Sequence, residues 1–134
     1  MQNLLIGALV LHVLAAVFWA GSTFALARMG GEGGERLFRP QMGAAVVAIL
    51  TGMVLWGLLH SGPPGVPETL LGIGALSALI AAGVQGVLVG GARRRLAQGG
   101  EASAGARRRI ARAERIASGL LALTIILMTA VRYV

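Results

Sequence analysis

The chain has 134 residues, of which 56% are hydrophobic and only 13% charged, whereas an ordinary soluble domain carries about 25% charge. Twelve basic residues, all arginine, stand against five acidic ones, all glutamate. There is no cysteine, which excludes disulfides, thiolate metal sites and thiol catalysis. Mean hydropathy is +0.78, and the apolar residues come in blocks long enough for membrane helices, each needing about 20 such residues.

The first block runs from residue 3 to 27 and contains "LVLHVLAAVFWAG", with His12 and Trp19 set in an apolar run. It exceeds the roughly 7–15 residues of a signal core and has no positive charge ahead of it, so a retained membrane helix is expected. Residues 28–40, "RMGGEGGERLFRP", read as a glycine-rich loop with Arg28, Arg36 and Arg39. The second block spans 41–59. It leads into "HSGPPGVPE", a loop with three prolines and no arginine. The third block spans 69–92. Residues 93–115 hold eight arginines around a glycine turn, and their two ends read as helix extensions. The fourth block spans 116–134.

The expected fold is therefore all-α: one domain, 1–134, forming a four-helix integral membrane bundle in a lipid bilayer. No alternating strand pattern of the barrel kind is present. A net charge of +7 would suggest nucleic acid in a soluble protein. Here the arginines lie between apolar blocks and set topology instead. By the positive-inside rule the first and third loops are cytoplasmic and both termini face outward, as expected in a bacterial plasma (inner) membrane. The basic third loop is also placed to touch anionic headgroups. Small residues at helical spacing in the third block (Gly72, Ala75, Leu79, Ala82, Gly86, Gly90) suggest its packing face. That face would serve the bundle itself, a homodimer or a larger membrane complex.

An ionisable residue inside a span is a functional hypothesis by default, which singles out His12. At about 1.5 Å per residue it lies roughly 13 Å below the outer end of its helix. His60, at the outer end of the second helix, is about two turns higher, so the two histidines do not form an obvious axial pair. Met53, Met128 and Ser77 fall near the layer of His12 by the same counting. Imidazole and thioether suit haem iron and also Cu(I). Trp19 continues the stripe of His12, and Trp56 and His60 continue that of Met53, a seam that would wall a flat cofactor or simply pack. Arg132, near the outer end of the fourth helix, is suited to holding a carboxylate such as a propionate, or to anchoring at the interface. Gln85 is the one amide inside the third span, and Glu114 is expected to pair with Arg115 or Arg36. No phosphate loop, HExxH motif, serine–histidine–carboxylate set or paired intramembrane carboxylates are present, so soluble-enzyme chemistry is not encoded.

The "LH…W-G" pattern of the first helix, "RLFRPQMGAAVVAILTGMVLW" and "RRIARAERIASGLLALTIILMTAVRY" resemble the CopD-like superfamily. That group of small membrane proteins includes the copper-resistance D domain and the HemJ-type protoporphyrinogen oxidases. The resemblance implies that His12 matches a histidine associated with haem binding and activity. It also implies a lysine and a histidine in the third helix, where this chain has Gly74 and Gln85. Those departures speak against protoporphyrinogen oxidase activity. For a copper-resistance D type, the matching ligand material is His12, Met53, Met128 and His60. Three expectations result: a haem b-binding membrane protein for electron transfer or haem handling, with His12 as axial ligand and Met53 or Met128 as the second; a Cu(I) uptake protein; or a cofactor-free structural or assembly subunit.

Overall fold

A computed structural model describes all residues, 1–134. Every regular element is helical: α1 Gln2–Arg28, α2 Gly34–Leu59, α3 Val66–Val84, a π turn Gln85–Val89, α4 Gly90–Gln98, α5 Ala102–Ala130 and a terminal 3-10 turn Val131–Tyr133. α3, the π turn and α4 run as one rod, Val66–Gln98, so four helical rods are long and apolar enough to cross a membrane. Helices satisfy their own backbone polar groups, the requirement any spanning segment must meet in hydrocarbon.

The connections are shorter than hydropathy suggests. α2 begins at Gly34, not near residue 41, and carries Pro40 inside it. The glycine-rich loop thus shrinks to a tight turn in which Gly30, Gly31 and Gly33 take positive φ, a conformation that costs other residues energy. Gly31 also allows close approach to α5: a Cβ there would lie 2.7 Å from the Ala111 nitrogen. α5 starts fourteen residues before the expected 116, and α4 reaches Gln98. The helical extensions expected at both ends of the third loop are therefore present, joined by Gly99 and Gly100 at positive φ. At the opposite end, Glu68 caps α3 by accepting a hydrogen bond from the Gly65 N–H at 2.8 Å, and Pro67 stands in the first turn, where a missing N–H is tolerated.

α1 packs against α2 and α5, and α3 packs against α5. The seam is built from alanines: Ala15, Ala20, Ala45, Ala48, Ala78, Ala81 and Ala117 surround Trp19 and Leu121. A second cluster, Val89, Ala92, Ala106, Ile110 and Ala113, joins α4 and the π turn to α5. Small side chains let membrane helices approach closely, where van der Waals packing replaces the hydrophobic driving force. The expected small-residue face of the third span holds at Ala82, which packs on the core, and at Gly90, which is buried against Phe38, and is corrected elsewhere. Ala75, Leu79 and Gly86 are exposed, and the buried face is Gly74, Ser77, Ala78, Ala81 and Gln85. Two polar anchors explain the rotation: Ser77 donates to the Leu120 carbonyl at 2.9 Å, and the Gly74 carbonyl accepts from Thr124 Oγ1 at 3.0 Å.

The arginine-rich end is pinned by specific contacts. Arg107 donates to Glu35 at 2.7 and 3.2 Å and to the Gly31 carbonyl at 3.0 Å, tying the first turn to α5. Glu35 stands in the first turn of α2, ahead of the apolar stretch. The Arg107 guanidinium holds its carboxyl below the usual carboxylate range. Arg93 lies over the Phe38 ring at 4.6 Å, a cation–π contact.

Candidate functional site

Two polar constellations stand inside an otherwise apolar bundle. The first is His12. It lies on the α1/α2 seam, half-buried. Its Nδ1 is 2.8 Å from the Ala48 carbonyl oxygen and 3.2 Å from Thr51 Oγ1. A carbonyl only accepts, so Nδ1 carries the hydrogen and donates it. Thr51 in turn donates its own hydroxyl to the Val47 carbonyl at 2.6 Å, which leaves its lone pairs toward the ring. Gly52 supplies the room: a Cβ there would lie 3.2 Å from His12 Cε1. With Nδ1–H committed, Nε2 holds the imidazole lone pair. It has no partner within the chain and is not among the buried unpaired atoms, so it opens on the outer surface of the seam.

The second constellation is a buried network assembled from all four spanning rods. Gln85, in the π turn, accepts a hydrogen bond from Trp19 Nε1 at 2.6 Å. Its Nε2 donates to Thr23 Oγ1 and to Glu114 Oε2, both at 2.9 Å. Gln41 also donates to Thr23 Oγ1, at 3.2 Å, and Thr23 donates to the Trp19 carbonyl at 2.7 Å. Gln85, Thr23 and Glu114 have no solvent exposure. Both N–H groups of Gln85 and the hydroxyl of Thr23 are fully used, and Gln85 Oε1 accepts one bond. Glu114 Oε1 is the one fully buried side-chain atom of the network without a partner.

The π turn has a geometric role here. In an α-helix each four-residue step overshoots a full turn by about 40°. A wider turn absorbs that drift, so that Ala81, Gln85 and Val89 all face the core. The expectation that Glu114 pairs with Arg115 or Arg36 is corrected: it faces Gln85, and Arg115 is exposed. Trp19 and Gln85 are 66 positions apart, and nothing in either local sequence links them.

The remaining sequence-selected residues are dispersed. Trp19 is 2% exposed and belongs to the network. Met53 follows Gly52 on α2 but turns outward, 58% exposed. Met128 is half-buried on α5, its Cγ 3.6 Å from where a Gly74 Cβ would stand on α3, whereas the partners of His12 are on α2. Trp56 and His60 do form a unit at the other end of α2: their rings stack at 5.0 Å with 28° between planes. His60 Nε2 is 3.9 Å from Glu68 Oε1, so this unit ties α2 to the cap of α3. Arg132 is exposed and takes part in neither of the chain's two salt bridges.

No protein family, curated protein or solved structure matches the chain.

As a ligand set for haem, the His12 seam fits in one respect. A hydrogen bond from the distal ring nitrogen to a backbone carbonyl is the arrangement that orients metal-binding imidazoles and raises their basicity. Within one chain it offers a single donor. Trp19 cannot wall a group at the seam surface, because its ring is enclosed by the core. No group of three or more histidine or acidic side chains is gathered for a metal ion.

Proposed function

We propose that this chain is a small haem b-binding integral membrane protein of the bacterial plasma membrane, serving electron transfer or haem handling. The observation that carries the reading is His12: its Nδ1–H is fixed on the Ala48 carbonyl and its Nε2 is left open. Haem would supply one-electron redox chemistry. The chain's own part is to present Nε2, to hold the ring in one tautomer through Ala48, and to keep the ring's plane through the Gly52 notch. Met53, which is exposed, and Met128, which is half-buried, are the thioethers that would be available as a further ligand. The distribution of arginine supports loops one and three on the cytoplasmic side and both termini outside.

The test is the absorption spectrum of protein purified from haem-replete cells, before and after dithionite. A Soret band, with an α band that sharpens on reduction, is the expected result. His12→Ala removes it while the bundle remains extractable and helical. Gly52→Val, which drives a side chain into the ring, weakens or shifts the band with His12 intact. A Soret band unchanged by both variants would sink the assignment. If no Soret band appears and copper binding depends on His12, the seam is a Cu(I) ligand site instead. If neither binds, the chain is a structural or assembly subunit. Topology is checked separately: reporters fused at Val134 and in the 99–100 turn read external and cytoplasmic respectively, and the reverse pattern overturns the orientation.

A further inference from the structure

The arginines at the α4/α5 end divide into two groups. Arg107 and Arg93 are engaged, by Glu35 and by Phe38. Arg108, Arg109 and Arg112 are exposed, and no carboxylate neutralises them. Glu35 is taken by Arg107, Glu68 stands by His60, Glu114 is buried against Gln85, and Glu32 and Glu101 are in neither salt bridge of the chain.

The side chains of these three arginines line one open cleft. It has a volume of about 420 Å³ and is lined by Arg108, Arg109, Arg112, Gly105 and Leu88. Leu88, from the π turn, is its single apolar lining residue. Gly105 leaves its wall open, since a Cβ there would meet nothing within 4 Å. Three like charges facing one cavity repel each other, and an anion placed among them relieves that repulsion. Guanidinium forks match phosphate oxygens in geometry as well as charge.

The surface beyond the cleft identifies which kind of anion. Arg108, Arg112 and Ile116 follow at four-residue steps on α5, one face of the helix. Ile116 is 45% exposed, and Val87, next in sequence to the lining Leu88, is 73% exposed. A basic cleft that continues directly into apolar surface on a spanning helix matches a molecule with an anionic head and apolar tails. A free phosphate would use the arginines and leave that apolar continuation idle.

We propose that the cleft between the π turn and the start of α5 is a binding site for the phosphate head of an anionic glycerophospholipid. Arg108, Arg109 and Arg112 hold the phosphate, and Val87 and Ile116 flank the first acyl carbons. The site is independent of His12 and of any cofactor.

Native mass spectrometry of the full chain, released from nonionic detergent, tests this with added phosphatidylglycerol, phosphatidylcholine or inorganic phosphate. Phosphatidylglycerol is expected to be retained as a discrete adduct and phosphatidylcholine is not. With each arginine near a membrane surface contributing on the order of fivefold in affinity, Arg108→Gln/Arg109→Gln/Arg112→Gln should weaken retention by tenfold or more. Arg112→Gln alone should weaken it severalfold, and Arg94→Gln/Arg95→Gln, outside the cleft, should leave it unchanged. Equal retention by the triple variant overturns the site. Equal loss in the Arg94/Arg95 variant means that only general basic charge is at work, and overturns it too. Displacement of the lipid by millimolar inorganic phosphate would show a free-anion site and overturn the lipid assignment.

Discussion

Replacing Gln85 with leucine would test the buried network most directly. The side chains have similar volume, so packing changes little. Three interhelical hydrogen bonds end on Gln85: from Trp19, to Thr23 and to Glu114. Thr23 keeps Gln41 as a donor. The Trp19 N–H and the Glu114 carboxyl lose the only side-chain partners they have. Hydrogen bonds between membrane helices average about 0.6 kcal/mol, because the unfolded chain in the membrane also finds partners. Three of them give about 2 kcal/mol. Orphaning a buried polar group costs roughly 1–3 kcal/mol, so two orphans set the expected loss at about 2–6 kcal/mol. Trp19→Phe removes one of the three bonds and should cost about 1 kcal/mol. The double variant should then fall short of the sum by about the value of the Trp19–Gln85 bond. Denaturation in mixed micelles, followed by tryptophan fluorescence, measures each value. A Gln85→Leu loss under about 0.5 kcal/mol, or strictly additive effects, would show that the network contributes no interhelical stability.

Two further outcomes are expected. Gly31→Ala should cost about 2–4 kcal/mol, because it adds a positive-φ penalty of roughly 1–2 kcal/mol to a Cβ placed 2.7 Å from α5 backbone; Gly30→Ala, also at positive φ but with open space around it, should cost only the first part, and equal losses in the same micelle assay would refute the docking argument. The Glu35–Arg107 pair should show as a small acid-sensitive contribution: the folded pKa of Glu35 lies below its ordinary value of 4.5, so the contribution is present above 4.5 and disappears as pH falls through the folded value. Both side chains are about a third exposed, which limits it to under about 1 kcal/mol. A Glu35→Gln variant should therefore be slightly less stable than wild type above about pH 5 and converge with it in acid; a difference that persists undiminished at about pH 2, or none at neutral pH, would contradict that assignment.

Hydropathy made the four rods legible because the lipid requirement is local: a run of apolar residues must be helical whatever surrounds it. Helix ends were less legible. The start of α2 lies upstream of Pro40, because the ring removes only one N–H and the turn Gly30–Gly33 supplies the reversal that was assigned to the whole of 28–40. Facing was the hardest to read. Glycine and alanine occur on several sides of the third span, so the stripe 72–90 and the true buried face 74–85 are alike in composition. Ser77 and Thr124 choose between them through bonds to carbonyls on another helix. For the same reason His12 was visible as a singular ionisable residue, whereas its bond to Ala48 was not. Glu114 looked like a surface residue among arginines. Its burial follows from Ile110, Ala113 and Ala117 turning the same face inward.

The π turn makes the third span a phase shifter. The half before Gln85 is set by α5 around Thr124, and the half after it by α5 around Ile110. One residue of slack between them allows both settings at once. Winding residues 85–89 as ordinary α-helix, with no residue removed, would leave a longer, more regular rod. It would also rotate everything downstream by about 100° relative to everything upstream, carrying Val89 and Ala92 out of the seam. In this rod the less regular backbone is the one that lets both ends fit, and a gain in local regularity would be a loss of global register.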